Sequence, residues 1–424
     1  MKVLVIGSGG REHALVWALS RSRRVSQVVC APGNAGIASL ARLAPVNQKD
    51  LDDLLRVAAA EAPDLVVVGP ELPLSLGLCD ELTRRGIPVF GPTRKAALLE
   101  SSKGFAKQFM QRRSIPTAAY AVAHSEKAAL QALDLFHLPV VVKADGLASG
   151  KGVVVCESRR EAADAIAGLF GGGLLGAAER AVVLEEFLSG EELSFLTLTD
   201  GRSVSPLPPA QDHKRAGEGD TGPNTGGMGV YSTDGMLDPS MREWILQHIA
   251  LRAVEGMRDE GSPFCGVLYC GLMMTPRGPM VLEFNARFGD PETQALLVRL
   301  ESDLAEVLEA CVEGRLQETP LQWKPGSSAC VIAASEGYPG NYPTGRLITG
   351  LDAAAAMPGV QIFHSGSAWM DDRLVTAGGR VLGVTALGST LEQSLARAYE
   401  AMGSIHFEGM HYRRDIGRRS SEFR

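Results

Sequence analysis

The sequence predicts an α/β protein that opens on a doubly wound parallel sheet and continues into α+β domains. Three observations carry that expectation. Short apolar strands alternate with helical patterns through the first hundred residues. Glycine- and proline-rich turns follow those strands, at the ends where such sheets bind ligands. Beyond Pro325 the strands become short and glycine-punctuated ("ACVIAASEGYPG", "GGRVLGVTAL"), the pattern of a separate α+β module.

The elements follow in order. Lys2–Ile6 reads as a buried strand and Glu12–Arg21 as a helix, joined by the turn "GSGG". Val25–Cys30 is a second strand ending at "APGNAG", Leu51–Ala60 a helix, and Asp64–Val68 a third strand stopped by "GPELPL". Leu76–Arg85 reads as one helix and Ile87–Phe90 as a strand. The helix in "SSKGFAKQFMQRRSIPTAAY" stops before Pro116. Strands Val140–Lys143 and Gly152–Cys156 flank "ADGLASGKG", and a helix runs to about Phe170, before the loop "GGGLLG". Strands Val182–Leu184 and Glu192–Leu198 precede a long polar stretch, "QDHKRAGEGDTGPNTGGMGVYS". A loop of that length and composition points to function. Met241–Glu260 is helical, strands follow near Gly266–Met274 and Met280–Phe284, and helix Leu391–Met402 closes the chain.

Length and composition bound the answer. A chain of 424 residues implies two to four domains. Hydrophobic residues at 45% and charged residues at 21% are an ordinary globular balance. A net charge of −7 lacks the basic footprint of a nucleic-acid binder. The arginines at 21, 23 and 24 and those at 413, 414, 418 and 419 read as solvated faces and a tail. Seven scattered cysteines, with no C-x-x-C pair, suggest reduced thiols. No apolar run approaches the ~20 residues that span a bilayer. With no signal-peptide architecture, the expectation is a cytoplasmic enzyme without membrane partners.

Four segments carry chemistry. In the opening turn, Gly7, Gly9 and Gly10 supply part of a dinucleotide fingerprint, but Glu12 takes the third glycine position. Strand two ends at Cys30-Ala31-Pro32 with no acid for a ribose. The turn suits a single sugar phosphate at a helix N-terminus, helped by Arg11, or is simply a tight turn. In "DGLASGKGV", Gly146 and Gly150 are too close for a Walker A loop, and Gly152 replaces its Ser/Thr. A glycine-rich flap between antiparallel strands can still fold over nucleotide phosphates, with Lys143 and Lys151 as cations, or Lys143 is a surface-edge lysine. "LEEFLSGEE" offers Phe187 and Leu188 as adenine contacts and Glu192 for the ribose. In "VLEFNARFGDPETQ", Glu283 and Asn285 share a strand face, as two oxygen ligands for Mg²⁺ would, and Arg287 lies on that face.

Together, GSGGREHAL, APGNAG, GPELPL, KADGLASGKGV, EEFLSGEE, QDHKR…DTGPNTGGMG, EFNARFGDPETQ and GYPG resemble the phosphoribosylamine–glycine ligase (glycinamide ribonucleotide synthetase) family of the ATP-grasp superfamily. The resemblance runs from Met1 to about Gly417. It implies a Rossmann-like N-domain over 1–100, an ATP-grasp domain over 101–324 with a flap at about 118–190, and a C-terminal domain over 325–424. It implies that ATP, glycine and 5-phosphoribosylamine give glycinamide ribonucleotide, ADP and phosphate through a glycyl phosphate, in purine synthesis. Lys103, Lys143, Gly150, Lys151 and Gly152 would cradle the phosphates, and Glu185, Glu186, Phe187, Leu188 and Glu192 the adenosine. Glu283 and Asn285 would hold Mg²⁺ or Mn²⁺. Asp212, Lys214, Arg287 and the loop Thr221–Gly229, with Asn224, Thr225, Gly226, Gly227 and Met228, would hold glycine and shape the reacting centre. Gly9, Gly10, Arg11, Asn34 and Glu71 would face the phosphosugar. His13 and His213 read as structural.

The amine is already nucleophilic and needs no assigned base. Ser149 and Asn341 stand where the family pattern leads us to expect alanine and aspartate. The expected protein is monofunctional and a monomer or weak homodimer. Two competing readings are an ATP-grasp enzyme acting on another acid and amine, and a nicotinamide-dependent oxidoreductase built on the first turn.

Overall fold

The computed structural model describes residues 1–147, 152–172 and 180–418. Its N-terminal sheet has the order Arg42–Leu43, Gln27–Pro32, Lys2–Gly7, Leu65–Val68, Val89–Phe90, with every pair parallel. The first strand is central, so its C-terminal turn opens where the strand order reverses. The helical pattern after residue 70 divides at Gly77, whose φ of 90° lies in the left-handed region, into Glu71–Leu76 and Leu78–Arg84.

A second body is a four-stranded antiparallel sheet ordered Tyr120–Ala123, Val182–Glu186, Val140–Ala144, Val153–Cys156. Helix Arg159–Phe170, capped by Ser158 accepting from the Glu161 amide, buries Ile166 and Leu169 against Val140, Val142 and Leu184. Each such side chain contributes about 1.5–3 kcal/mol. Strand alternation leaves Lys143 on the opposite face from that core.

The central antiparallel sheet is ordered Val204–Pro206, Glu191–Asp200, Cys265–Thr275, Gly278–Asn285. A helical run over Pro239–Asp259 covers it, with a π-type turn at Leu246–Leu251 rather than uniform α geometry.

The long polar stretch is not one loop. Gln211–Asp212 pairs with Gly229–Thr233, and Arg215–Gly217 pairs with Thr221–Asn224. Gly229–Thr233 then pairs with Ser327–Ala334, giving a sheet ordered Gln211–Asp212, Gly229–Thr233, Ser327–Ala334, Arg380–Gly388, Val360–His364. The C-terminal module is therefore not separate: its sheet is completed by strands from before residue 234. These strands are short and polar, so they carry no apolar alternation to betray them. Helix Leu391–Ser404, capped by Thr390, packs on this sheet through Ala398, Ala401 and Met402.

All seven cysteines are free, and burial pushes the thiols of Cys265 and Cys330 up to about 12. Among the described residues, no helix is long and apolar enough to cross a membrane.

Candidate active site

Charged side chains of the flap sheet, the central sheet and the N-terminal domain meet where Lys143 approaches the Leu282 carbonyl and Arg287 approaches Glu71. At the flap end, Glu185 lies directly across the ladder from Val141, on the same face as Lys143. Lys143 Nζ is 3.0 Å from Glu185 Oε1 and 3.5 Å from the Leu282 carbonyl. Lys107 Nζ is 2.7 Å from Glu185 Oε2 and donates to Thr117 Oγ1 at 2.7 Å. Burial alone would raise the Glu185 carboxyl, but Lys143 and then Lys107 hold it below the usual range. Its side chain is thus occupied by two lysines rather than offered to an adenosine. Glu186 is tied to Arg277 at 2.6 Å. Phe187 remains 41% exposed beside buried Leu188, leaving an apolar edge for a ring. Lys103 Nζ donates to the Gly146 carbonyl at 3.0 Å, and the Ala144 amide donates to the Gly152 carbonyl at 2.7 Å. Gly150 and Lys151 lie outside the described residues.

Glu283 and Asn285 end the Gly278–Asn285 strand, at the floor of the cleft. Burial would raise the Glu283 carboxyl, but Lys214, Lys143 and Lys103 outweigh it and keep the group anionic. Among the described residues, no group of three His, Cys, Asp or Glu could hold a metal. Two hard oxygen donors with one net charge instead suit a divalent cation that takes its remaining ligands from phosphate and water. Arg287 is less available than its sequence position suggests. It is 2.9 Å from Glu100 and 3.3 Å from Glu71, and it donates to the Phe288 carbonyl at 3.2 Å. It also reaches Asn285 Oδ1 at 3.5 Å, so in this geometry it steadies the Asn285 amide. Glu71 is accordingly an Arg287 partner.

Lys214 bridges the two ends: its ammonium is 2.9 Å from Glu192 and 3.8 Å from Glu283. Beside it, Asp212 Oδ1 is buried with no hydrogen-bond partner among the described residues. Burial and Glu292 push the Asp212 carboxyl well up. Glu292 itself accepts from Ser194 at 2.9 Å and from Tyr269 at 2.7 Å. Gly227, with φ 110°, closes over Asp212: a Cβ there would lie 2.6 Å from Asp212 Oδ1. Thr225 Oγ1 donates to the Lys214 carbonyl at 2.8 Å and accepts from the Gly227 amide at 3.0 Å, so it shapes this loop. Asn224 pairs with Arg215 in the ladder, and Met228 is fully buried.

The opening turn differs most from expectation. Glu12 Oε2 accepts from the Gly9 amide at 2.6 Å, and Glu12 Oε1 accepts from Arg11 Nε at 2.5 Å. Arg11 also donates to the Phe288 carbonyl at 3.0 Å, and its amide donates to Asp290 at 3.3 Å. Asn34 donates to the Ser8 and His364 carbonyls, each at 2.8 Å. Gly10 packs so closely that a Cβ would lie 2.4 Å from Gln294 Nε2. The turn's hydrogen-bonding groups are therefore largely taken up by the chain's own residues. Glu12 itself fills a slot between Gly7, Gly9 and Gly69, where added Cβ atoms would collide with it.

Among known proteins, family models described as phosphoribosylglycinamide synthetase N domain, ATP-grasp (A) domain and C domain match residues 1–100, 101–293 and 328–419. The chain belongs to the phosphoribosylglycinamide synthetase family. The phosphoribosylamine–glycine ligase of Brucella melitensis is 49% identical over 422 residues, covering 100% of this chain and 99% of that one. That of Xanthomonas axonopodis pv. citri is 49% identical over 424 residues, covering 99% and 98%. The crystal structure of the Thermotoga maritima phosphoribosylamine–glycine ligase matches with a TM-score of 0.87 at 34% identity, covering 98% of this chain and 100% of that one. The biotin carboxylase domain of Hydrogenobacter thermophilus 2-oxoglutarate carboxylase shares the fold, with a TM-score of 0.73 at 16% identity, covering 97% and 91%.

In this synthetase-family chain, several site residues escaped sequence reasoning. Lys107 lies on helix Lys103–Arg112 among buried Ala106, Phe109 and Met110, and a lysine on an apolar face was the available signal. Glu292 and Asp290 stood inside a quoted motif without a role. Tyr338 likewise stood in GYPG without a role, and nothing local links Arg380 of the C-terminal module to the cleft.

Proposed function

We propose that this chain is a carbon–nitrogen ligase that joins glycine to 5-phosphoribosylamine, giving glycinamide ribonucleotide, ADP and phosphate for purine synthesis. The observation that carries this reading is Lys214, 2.9 Å from Glu192 and 3.8 Å from Glu283, next to the Asp212 oxygen that has no hydrogen-bond partner among the described residues. It joins a nucleotide end, a metal end and an acceptor end within one side chain's reach.

A carboxylate is a poor electrophile, and phosphorylation gives it a leaving group. Transfer of the γ-phosphoryl needs alignment and charge neutralisation more than covalent help from the protein. Lys103, Lys143 and Lys214 supply fixed positive charge. Phe187 and Leu188 flank the adenine. Glu283 and Asn285 would hold a divalent cation, Mg²⁺ or Mn²⁺, whose charge would offset that of the phosphates. Glycine sits beside Asp212, and its carboxylate takes the phosphoryl group to form glycyl phosphate. The free amine of phosphoribosylamine then attacks the carbonyl carbon, and phosphate leaves.

The deciding experiment uses glycine labelled with oxygen-18 in its carboxylate. One label per turnover is expected in inorganic phosphate. Unlabelled phosphate would rule out the acyl phosphate. Turnover with other amino acids but not glycine would reassign the acid.

A further inference from the structure

The C-terminal module reaches the Gly226–Gly227 loop through Arg380 and Tyr338. Arg380 begins the Arg380–Gly388 strand, and its Nη1 donates to the Gly226 carbonyl at 2.6 Å and the Asp290 carbonyl at 2.8 Å. The same nitrogen lies 3.5 Å from the Gly227 carbonyl, and Nη2 lies 3.4 Å from the Asp290 carboxylate. From the other side, the Gly226 amide donates to the Tyr338 hydroxyl at 3.1 Å. Tyr338 can lie there because residue 379 has no side chain: a Cβ would come within 2.2 Å of its ring. A Cβ on Gly226 would lie 3.0 Å from the Arg380 guanidinium carbon. The loop backbone is therefore packed directly on the guanidinium.

These bonds have a direction. Gly226 and Gly227 carry no side chains, so only bonds to their peptide groups hold them in place. Gly227 in turn closes over Asp212. A planar guanidinium serves several carbonyls at fixed angles, which an ammonium cannot reproduce.

We infer that Arg380, assisted by Tyr338, is a positioning residue for the acid-substrate side of the cleft: it fixes the Gly226–Gly227 peptides against Asp212 and leaves the nucleotide side untouched. This rests on the reading above that Asp212 faces glycine. Displacements of about 1 Å at a reacting centre cost up to ~100-fold in rate.

The test uses the full-length protein carrying Arg380→Lys or Tyr338→Phe, with thermal melting, binding of a non-hydrolysable ATP analogue, and separate KM values for glycine and the amine. Arg380→Lys is expected to melt as a folded protein, bind the analogue like the parent, and raise the glycine KM about tenfold or more with a lower kcat. Tyr338→Phe is expected to move the glycine KM in the same direction by a smaller factor. Unchanged glycine KM and kcat in a folded variant would overturn the inference. So would an equal loss of analogue binding, or a loss confined to the KM of the sugar amine, which would make Arg380 a direct sugar contact. If Arg380→Lys does not fold, Tyr338→Phe decides by the same criteria. A parent enzyme that never turns over glycine would instead fail the functional reading.

Discussion

Lys107 Nζ lies 2.7 Å from Glu185 Oε2, with both side chains 2% exposed. The second Glu185 oxygen faces Lys143 at 3.0 Å, so one carboxylate aligns two lysines under the flap. Burial lowers the Lys107 ammonium to about 8, although Glu185 opposes the shift.

Lys107→Met leaves Glu185 with a single partner. Breaking a buried pair costs about 3–5 kcal/mol, and the remaining Lys143 contact places this case near the lower end. Urea unfolding should show the loss, and Lys143, drawn more tightly to Glu185, should bind ATP more weakly. A loss below about 1 kcal/mol would mean that the pair contributes little.

Glu283→Gln keeps the shape and removes the charge. Nucleotide binding should lose its dependence on divalent cations, and turnover should fall about 100-fold or more. Calorimetric titration of ATP analogue with and without Mg²⁺ checks this. An unchanged metal increment would remove Glu283 from the proposed ligands.

His13 and His364 predict an acid-sensitive joint between the first and last domains. The His364 amide donates to His13 Nδ1 at 2.8 Å. Burial, then the neighbouring His364, lowers His13 to about 3, and burial lowers His364 to about 4. The unfolded chain takes up these protons near pH 6.5, whereas the native protein resists them. The stability from the neutral pair is full above about pH 6.5 and is lost progressively as pH falls towards 4 and 3. Unfolding free energies at pH 7 and 4.5 should differ by a few kcal/mol, at ~1.4 per pKa unit. His13→Gln should flatten that slope; a parallel slope would place the acid sensitivity elsewhere.

Glu12→Ala removes the acceptor of the Gly9 amide and the partner of Arg11. The cost should be about 1–3 kcal/mol in thermal or urea unfolding. The parent should show no NADH binding by fluorescence, because a carboxylate already occupies the slot where a pyrophosphate would need amides. NADH binding by the parent would revive the oxidoreductase reading.

Much of this was legible in the sequence because the local patterns are strong. The Lys2–Gly7 strand, the flap strands around Lys143 and the Glu283–Asn285 spacing follow from periodicity alone. Side-chain destinations were less legible. Arg287 reads in the sequence as a contact for glycine, but Glu71 and Glu100 claim it from segments about 200 residues earlier. Arg11 looked like a phosphate ligand, but its neighbour Glu12 takes it. In both cases a long-range or competing charge won, and single-sequence spacing does not report such partners. The same holds for Arg380, whose acceptors are backbone carbonyls and carry no sequence signature.

The pairing of Gly229–Thr233 with Ser327–Ala334 also bears on how the chain can be divided. A cut near Pro325 strips a neighbour from one side of Ser327–Ala334. The fragment beginning there would present five residues' worth of bare ladder, Ser327 through Val331, along a buried and largely apolar strand. Exposed edges of that kind recruit other chains. The C-terminal piece made alone should therefore self-associate, whereas a fragment that begins before Gln211 carries its own cover.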